Sequence, residues 1–185
     1  MHNRRVSRRV APPSSGPKER EGGSSAAGLR VTVVCSRWNP TITDGLLRSA
    51  LGSLEERGAR ASDLAVVRVP GAFELPAGVV AALRRRPRPD AVVALGAVVR
   101  GETTHHEVLG HAVASALAWL STGGVPVGFG LLTCDTMDQA HQRLSRGAEA
   151  AQAAVEMANL QRGSGPARAA RRARSKRSPS GRRRR

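Results

Sequence analysis

The chain has 185 residues, with 30 Lys and Arg against 14 Asp and Glu, a formal charge of +16, and an aromatic content of only 2%. That length suits one domain with a sizeable core plus tails. No stretch offers the ~18 continuous apolar residues of a membrane-spanning helix, and the two cysteines, Cys35 and Cys134, lack metal-ligand spacing and read as reduced thiols of a cytoplasmic protein.

Residues 1–28 carry six basic and two acidic side chains, with Pro, Ser and Gly throughout. They read as a disordered basic extension. Arginines without an apolar stretch behind them do not make a signal peptide, and this segment leaves open whether Met1 is the native start. Residues 29–162 hold 14 basic and 12 acidic side chains, so the expected folded part is nearly neutral.

Leu29 to Ser36 is a β-rich apolar run and predicts the first strand. Arg37-Trp38-Asn39-Pro40 breaks it. A helix follows from Thr41 to Arg57, with Ile42, Leu46, Leu47, Ala50, Leu51 and Leu54 at helical spacing and Gly58 as its stop. The second strand is Leu64 to Val69, and the second helix Leu75 to Arg85, with Pro76 in its first turn. The third strand is Ala91 to Val98, the third helix Thr104 to Leu120, and the fourth strand Val125 to Thr133. Asp135 to Leu144 and Ala148 to Leu160 read as helices separated near Arg146-Gly147. Alternating strands and helices, with near-continuously apolar strands, predict an α/β fold: a parallel sheet covered on both faces. Ligands of such sheets bind at the C-terminal strand ends. Those ends carry Arg37-Trp38-Asn39, Gly71 to Glu74, Arg100 to His106, and Thr133 to Asp135.

The third strand's exit, Gly96 to His106, is the most telling segment. Small residues, an arginine, hydroxyls and two histidines lead into a helix N-terminus, whose amides attract anions. A histidine there moves protons near neutral pH. This pattern points to an anionic substrate handled by acid–base chemistry. Thr103 and Thr104 either bond a phosphate or cap the helix. Trp38 either stacks on a planar ring or anchors a core or an interface, and Phe73 and Phe129 share that ambiguity. Glu74 either offsets the helix dipole or accepts hydroxyls of a polyol. Arg143 and Arg146 are a solvated face or part of an anion site. A dinucleotide fingerprint is missing after the first strand, as are Walker, zinc and nucleophile-elbow motifs.

Taken together, these segments resemble the 6,7-dimethyl-8-ribityllumazine synthase family. The likeness covers residues 29–162 and rests on Ser36 to Asn39, Val69 to Pro76, Leu95 to His105, Gly128 to Thr133, Gln139-Ala140, Arg143 and Glu156 to Leu160. It implies a flavodoxin-like three-layer αβα sandwich with a four-stranded parallel sheet. It also implies condensation of 5-amino-6-(D-ribitylamino)uracil with 3,4-dihydroxy-2-butanone 4-phosphate, without cofactor or metal. By the resemblance, Trp38 stacks on the pyrimidine, where many members have phenylalanine. Asn39, Ala72, Phe73 and Glu74 hold the ribityl chain, and the backbone of Ala97, Val98 and Val99 meets the pyrimidine edge. Gly101, Glu102, Thr103 and Arg143 hold the phosphate, His105 shuttles protons, and Arg100, Arg146 and Glu149 support the site. The family builds its sites between subunits of a pentamer, alone or in a larger shell, so Phe129 and Arg143 would come from a neighbour.

Three departures stand out. About five residues of the family's loop after Arg143 are missing, and Arg146 stands in place of a lysine. His106 replaces a usual aromatic, so the pair His105-His106 offers two candidates for one role, with His105 in the family's register. The shortened loop keeps a second reading open, an impaired shell or scaffold. Residues 163–185, with ten basic side chains and no acid, fall outside the resemblance. They read as a disordered Arg-rich tail, either merely solubilising or binding nucleic acid or another polyanion without sequence preference.

Overall fold

The structure is a computed structural model that describes residues 19–163. The Arg-rich segment beyond Gly163 and most of the N-terminal extension lie outside the described residues.

Four strands form one sheet in the order β2-β1-β3-β4, every pair parallel. They are β1 (Val31–Ser36), β2 (Leu64–Val69), β3 (Ala91–Val99) and β4 (Val127–Cys134). The helices are α1 (Pro40–Glu56), α2 (Leu75–Arg84), α3 (His105–Ser121), α4 (Met137–His141) and α5 (Arg146–Gln161). β1 and β3 are apolar almost without a break because both of their faces are covered. On one face Val31, Val33 and Leu95 meet Ile42, Leu46 and Leu54 of α1 and Ala151, Ala154 and Val155 of α5. On the other, Val34, Val92 and Ala94 meet Leu75 and Val79 of α2 and Val113 and Leu117 of α3. The result is the expected three-layer αβα sandwich.

Small residues set the layer spacing. A Cβ on Gly128 would stand 2.1 Å from the carbonyl oxygen of Ala150. Only glycine lets α5 lie this close to β4, and the helix presents alanines to the strand for the same reason. Gly58, at φ 90°, turns the chain sharply after α1, a backbone state that glycine adopts without strain.

The predicted boundaries shift by two residues or more at four places. Leu29 is not in β1; its N–H donates to the Ala26 carbonyl in a turn, and the strand starts at Val31. β4 starts at Val127, since Pro126 has no N–H for the ladder and contributes only its carbonyl, to Val92. The helix expected from Asp135 to Leu144 contracts to Met137–His141: the Thr136 hydroxyl accepts from the Gln139 N–H, and the Gln139 side chain accepts from the Asp135 N–H. α5 starts at Arg146, so the break expected there falls earlier, in 142–145. Residues 23–28 of the N-terminal extension are also held: Asn159 donates to the carbonyls of Gly23 and Ser25, and Ala26 is fully buried.

Candidate active site

The parallel topology sends every strand exit to one rim, where the loops are tied together by backbone. After β1, the N–H groups of Arg37 and Trp38 donate to the carbonyls of Val69, the last residue of β2, and Pro70, at 2.8 and 3.1 Å. Asn39 sits in the left-handed region (φ 57°, ψ 59°), a conformation that asparagine tolerates better than most residues. From there its side-chain amide donates to the Ala97 carbonyl at 3.2 Å, joining the β1 exit to β3. After β2, the Glu74 carboxylate accepts the Gly71 N–H at 2.8 Å, which fixes the Gly71–Glu74 turn.

These ties surround a cleft of about 420 Å³. It is lined by Trp38, Asn39, Gly71, Ala72, Phe73, Glu74, Ala97, Val98, Val99, Gly101, Thr103, His105, His106 and Leu109. Trp38 and Phe73 are 72% and 68% exposed, so neither is a core anchor. Such rings offer open faces to a flat ligand or to another protein surface. Of the residues singled out for the pyrimidine and ribityl groups, all but Phe129 line this cleft.

At the anion corner, Thr104 caps α3 without a side-chain bond. The Thr103 hydroxyl instead accepts the His105 N–H at 3.4 Å. His106 is held by a ring contact of 3.1 Å to the Thr103 carbonyl, while the neighbouring His105 is exposed within the cleft wall. Arg100 turns away to Asp135, their charged groups 3.5 Å apart at the surface. Glu102 is exposed beside the cleft and does not line it.

A second groove, about 330 Å³, lies on the far side of the α3 N-terminus. Phe129, 52% exposed, lines it with His106, His111, Thr133, Cys134 and Asp135. Arg143 is exposed and donates to the Gln139 carbonyl at 2.7 Å, on the loop that follows α4. Arg146 pairs with Glu149 one turn along α5. The structure therefore does not bring Phe129, Arg143, Arg146 or Glu149 into the cleft of the same chain. The short 142–145 connection is closed by packing: Leu144 fills the space above Gly45, and Gly147 lies against the Leu46 carbonyl.

Three features of this rim were not singled out from sequence. Leu109, one turn after His105, forms part of the wall and was hidden within an ordinary apolar helix pattern. Gly71 supplies the amide that orients Glu74. Asp135 was noted only as a strand-end residue, not as the partner of Arg100.

Neither thiol is poised as a nucleophile. Burial pushes Cys35 from its ordinary 9.0 to about 11, against the pull of the nearby Arg68 cation. Burial also raises Cys134, with Arg143 opposing and Asp135 adding to the rise. Both cysteines are unbridged. Among the described residues no cluster of three His, Cys, Asp or Glu side chains could hold a metal ion, and no helix is long and apolar enough to cross a membrane.

Residues 28–162 match the family model described as 6,7-dimethyl-8-ribityllumazine synthase. Curated relatives carrying that name include one from Kocuria rhizophila, 50% identical over 141 residues, covering 72% of this chain and 87% of the relative. Another, from an Anaeromyxobacter species, is 45% identical over 148 residues, covering 77% and 90% of the two chains. A third, from Desulfotalea psychrophila, is 44% identical over 146 residues, covering 76% and 94%. With its four-stranded parallel sheet and the cleft at the strand exits, this chain belongs to the 6,7-dimethyl-8-ribityllumazine synthase family.

Proposed function

We propose that the protein condenses 5-amino-6-(D-ribitylamino)uracil with 3,4-dihydroxy-2-butanone 4-phosphate to give 6,7-dimethyl-8-ribityllumazine, a step of riboflavin biosynthesis in the cytoplasm. The observation that carries this reading is the convergence of Trp38, Asn39, Glu74, the Ala97–Val99 backbone and His105 on one cleft. Trp38 stacks on the pyrimidine, whose edge meets the Ala97–Val99 backbone. Asn39, Ala72, Phe73 and Glu74 hold the ribityl hydroxyls and chain. Gly101, Glu102 and Thr103 cradle the phosphate beside the first turn of α3.

The 5-amino group attacks the ketone, and loss of water gives an imine. Phosphate leaves, and closure of the second ring releases another water. Each step moves protons, and His105 is the group that carries them. Holding the two substrates together accounts for much of the remaining acceleration. Condensation and elimination balance without an electron acceptor, so no cofactor or metal enters the scheme.

The site is completed by a second copy of the chain. Phe129 and Arg143 stand outside the cleft of their own chain. The outer side of α3 leaves Val108 and Trp119 66% and 74% exposed, apolar surface that a neighbour would cover. A homopentamer accounts for both: Arg143 of one copy reaches the phosphate of the next, with Arg100, Arg146 and Glu149 in support. For the Arg-rich segment beyond Gly163 the reading is binding of nucleic acid or another polyanion, which rests on its charge.

The test is an absorbance assay with purified protein and both substrates. Lumazine formation that requires protein and both substrates is expected. A folded oligomer giving no product above the spontaneous background would overturn the enzyme reading and leave a scaffold.

A further inference from the structure

The rim opposite the cleft carries a different chemistry. α2 runs antiparallel to the strands, so its last turn lies where the strands begin. There the chain reads Arg84-Arg85-Arg86-Pro87-Arg88, and all four arginines are exposed. The Arg88 carbonyl accepts from the Arg30 Nε at 3.0 Å, which fixes this loop beside the start of β1. The nearest carboxylate in the segment, Asp90, is already engaged by both Arg30 and Arg162. No described carboxylate pairs with Arg84, Arg85, Arg86 or Arg88. Glu55 and Glu56 end α1 on the other face of the sheet.

The described residues begin and end at this rim. α5 also runs against the strands and delivers Arg162 to Asp90. The Arg20 guanidinium comes within 3.9 Å of where a Cβ on Gly163 would stand. The segments with six and ten basic side chains are therefore rooted beside the four arginines rather than beside the cleft.

We infer that this rim is a nucleic-acid docking surface, in which Arg84, Arg85, Arg86 and Arg88 form a fixed phosphate-binding platform. The inference rests on the polyanion reading of the tail and deepens it by naming a structured surface. Nucleic acid is favoured over a lipid surface by two features of the sequence. The cations are almost all arginine, with only Lys18 and Lys176 as lysines, and the guanidinium fork matches phosphate geometry. Residues 163–185 contain no aromatic or large aliphatic side chain to insert into a bilayer. With the cleft on the opposite rim, docking leaves the anionic substrate's site unobstructed.

Fluorescence anisotropy of a labelled single-stranded oligothymidine, titrated with the full chain across a salt series, tests this. About five phosphate contacts give a slope of roughly −3.5 in log affinity against log salt, or a ~100-fold loss for a fourfold rise in salt. Arg84→Ser/Arg85→Ser/Arg86→Ser/Arg88→Ser should make that slope shallower by about 2 to 3 while lumazine formation is retained. The same four changes in a chain ending at Gly163 should weaken its residual binding. Full-chain binding with the slope unchanged by the four substitutions would reject the platform and leave the tail reading standing. No binding even in low salt would reject both. Binding to phosphatidylserine vesicles without binding to the oligonucleotide would overturn the inference in favour of a membrane surface.

Discussion

The two grooves flanking the start of α3 differ in how completely they are built. The cleft draws on the exits of β1, β2 and β3; hydrogen bonds donated by Trp38 and Asn39 tie those exits together, and Glu74 fixes the turn after β2 by accepting from Gly71. The second groove has one wall on α3 and one on β4, and Phe129 lies in it largely uncovered. The first is a pocket with a recognition surface but no arginine lining it. The second lies near a cation, Arg143, but offers no comparable enclosure. Each supplies what the other lacks, which is the pattern expected when a symmetric assembly sets one half-site against the next.

The sharpest way to break that comparison is His105→Ala. Loss of a general acid–base group should lower kcat by about 10²–10⁴-fold with the oligomer unchanged, read by initial rates and sedimentation. Undiminished turnover would move the proton shuttle to His106. Arg143→Ala should cost less, about 10–100-fold in kcat/KM for the phosphorylated substrate, the scale of one charged hydrogen bond. Co-refolding equal amounts of these two variants is the direct test of the half-site arrangement. Random mixing in a ring should restore about a quarter of wild-type activity, because some neighbouring pairs carry both native groups. Mixtures no more active than their components would place His105 and Arg143 in one chain's site. Trp38→Ala should raise KM for the pyrimidine substrate by roughly 3–10-fold, with Trp38→Phe close to wild type, as stacking requires.

The smallest effect separates the scaffold from both grooves. Cys35 lies beneath the β1 exit with its thiol pushed up to about 11. A folded-state pKa above the unfolded value stabilises the fold in full below the unfolded pKa, and that contribution is lost as pH rises from 9 to 11. Cys35→Ala should cost about 1 kcal/mol at neutral pH through the small void it leaves. The wild type should then lose on the order of 2–3 kcal/mol relative to the variant across that alkaline window. Parallel denaturation curves for the two proteins at every pH would refute the assignment.

Most of the sheet was legible because a strand buried on both faces leaves an uninterrupted apolar run, as Val31–Ser36 and Ala91–Val99 do. The cleft was legible for a topological reason, since all parallel strands end on one rim. What sequence did not disclose was mostly direction. Arg100 and Arg146 are both cations near the rim, yet one faces Asp135 and the other Glu149. The helix after β4 was overdrawn because apolar residues at helical spacing, Met137, Ala140 and Leu144, continue past His141, while the Thr136–Gln139 cap holds only a short turn. α3 read as a simple amphipathic helix. Its fully buried side is narrow, limited to Gly110, Val113 and Leu117 with Leu109 and Leu120 packed at the edge, while Val108 and Trp119 point outward. Periodicity cannot distinguish an apolar face that is buried from one that is left exposed.

The approach of Arg20 to Gly163 has a practical corollary. In a chain trimmed to residues 20–163, those two positions could be joined by a short linker and the chain reopened at an exposed turn elsewhere without disturbing the four-stranded pairing. A circular permutant of this kind would carry its new junction on the rim opposite the cleft.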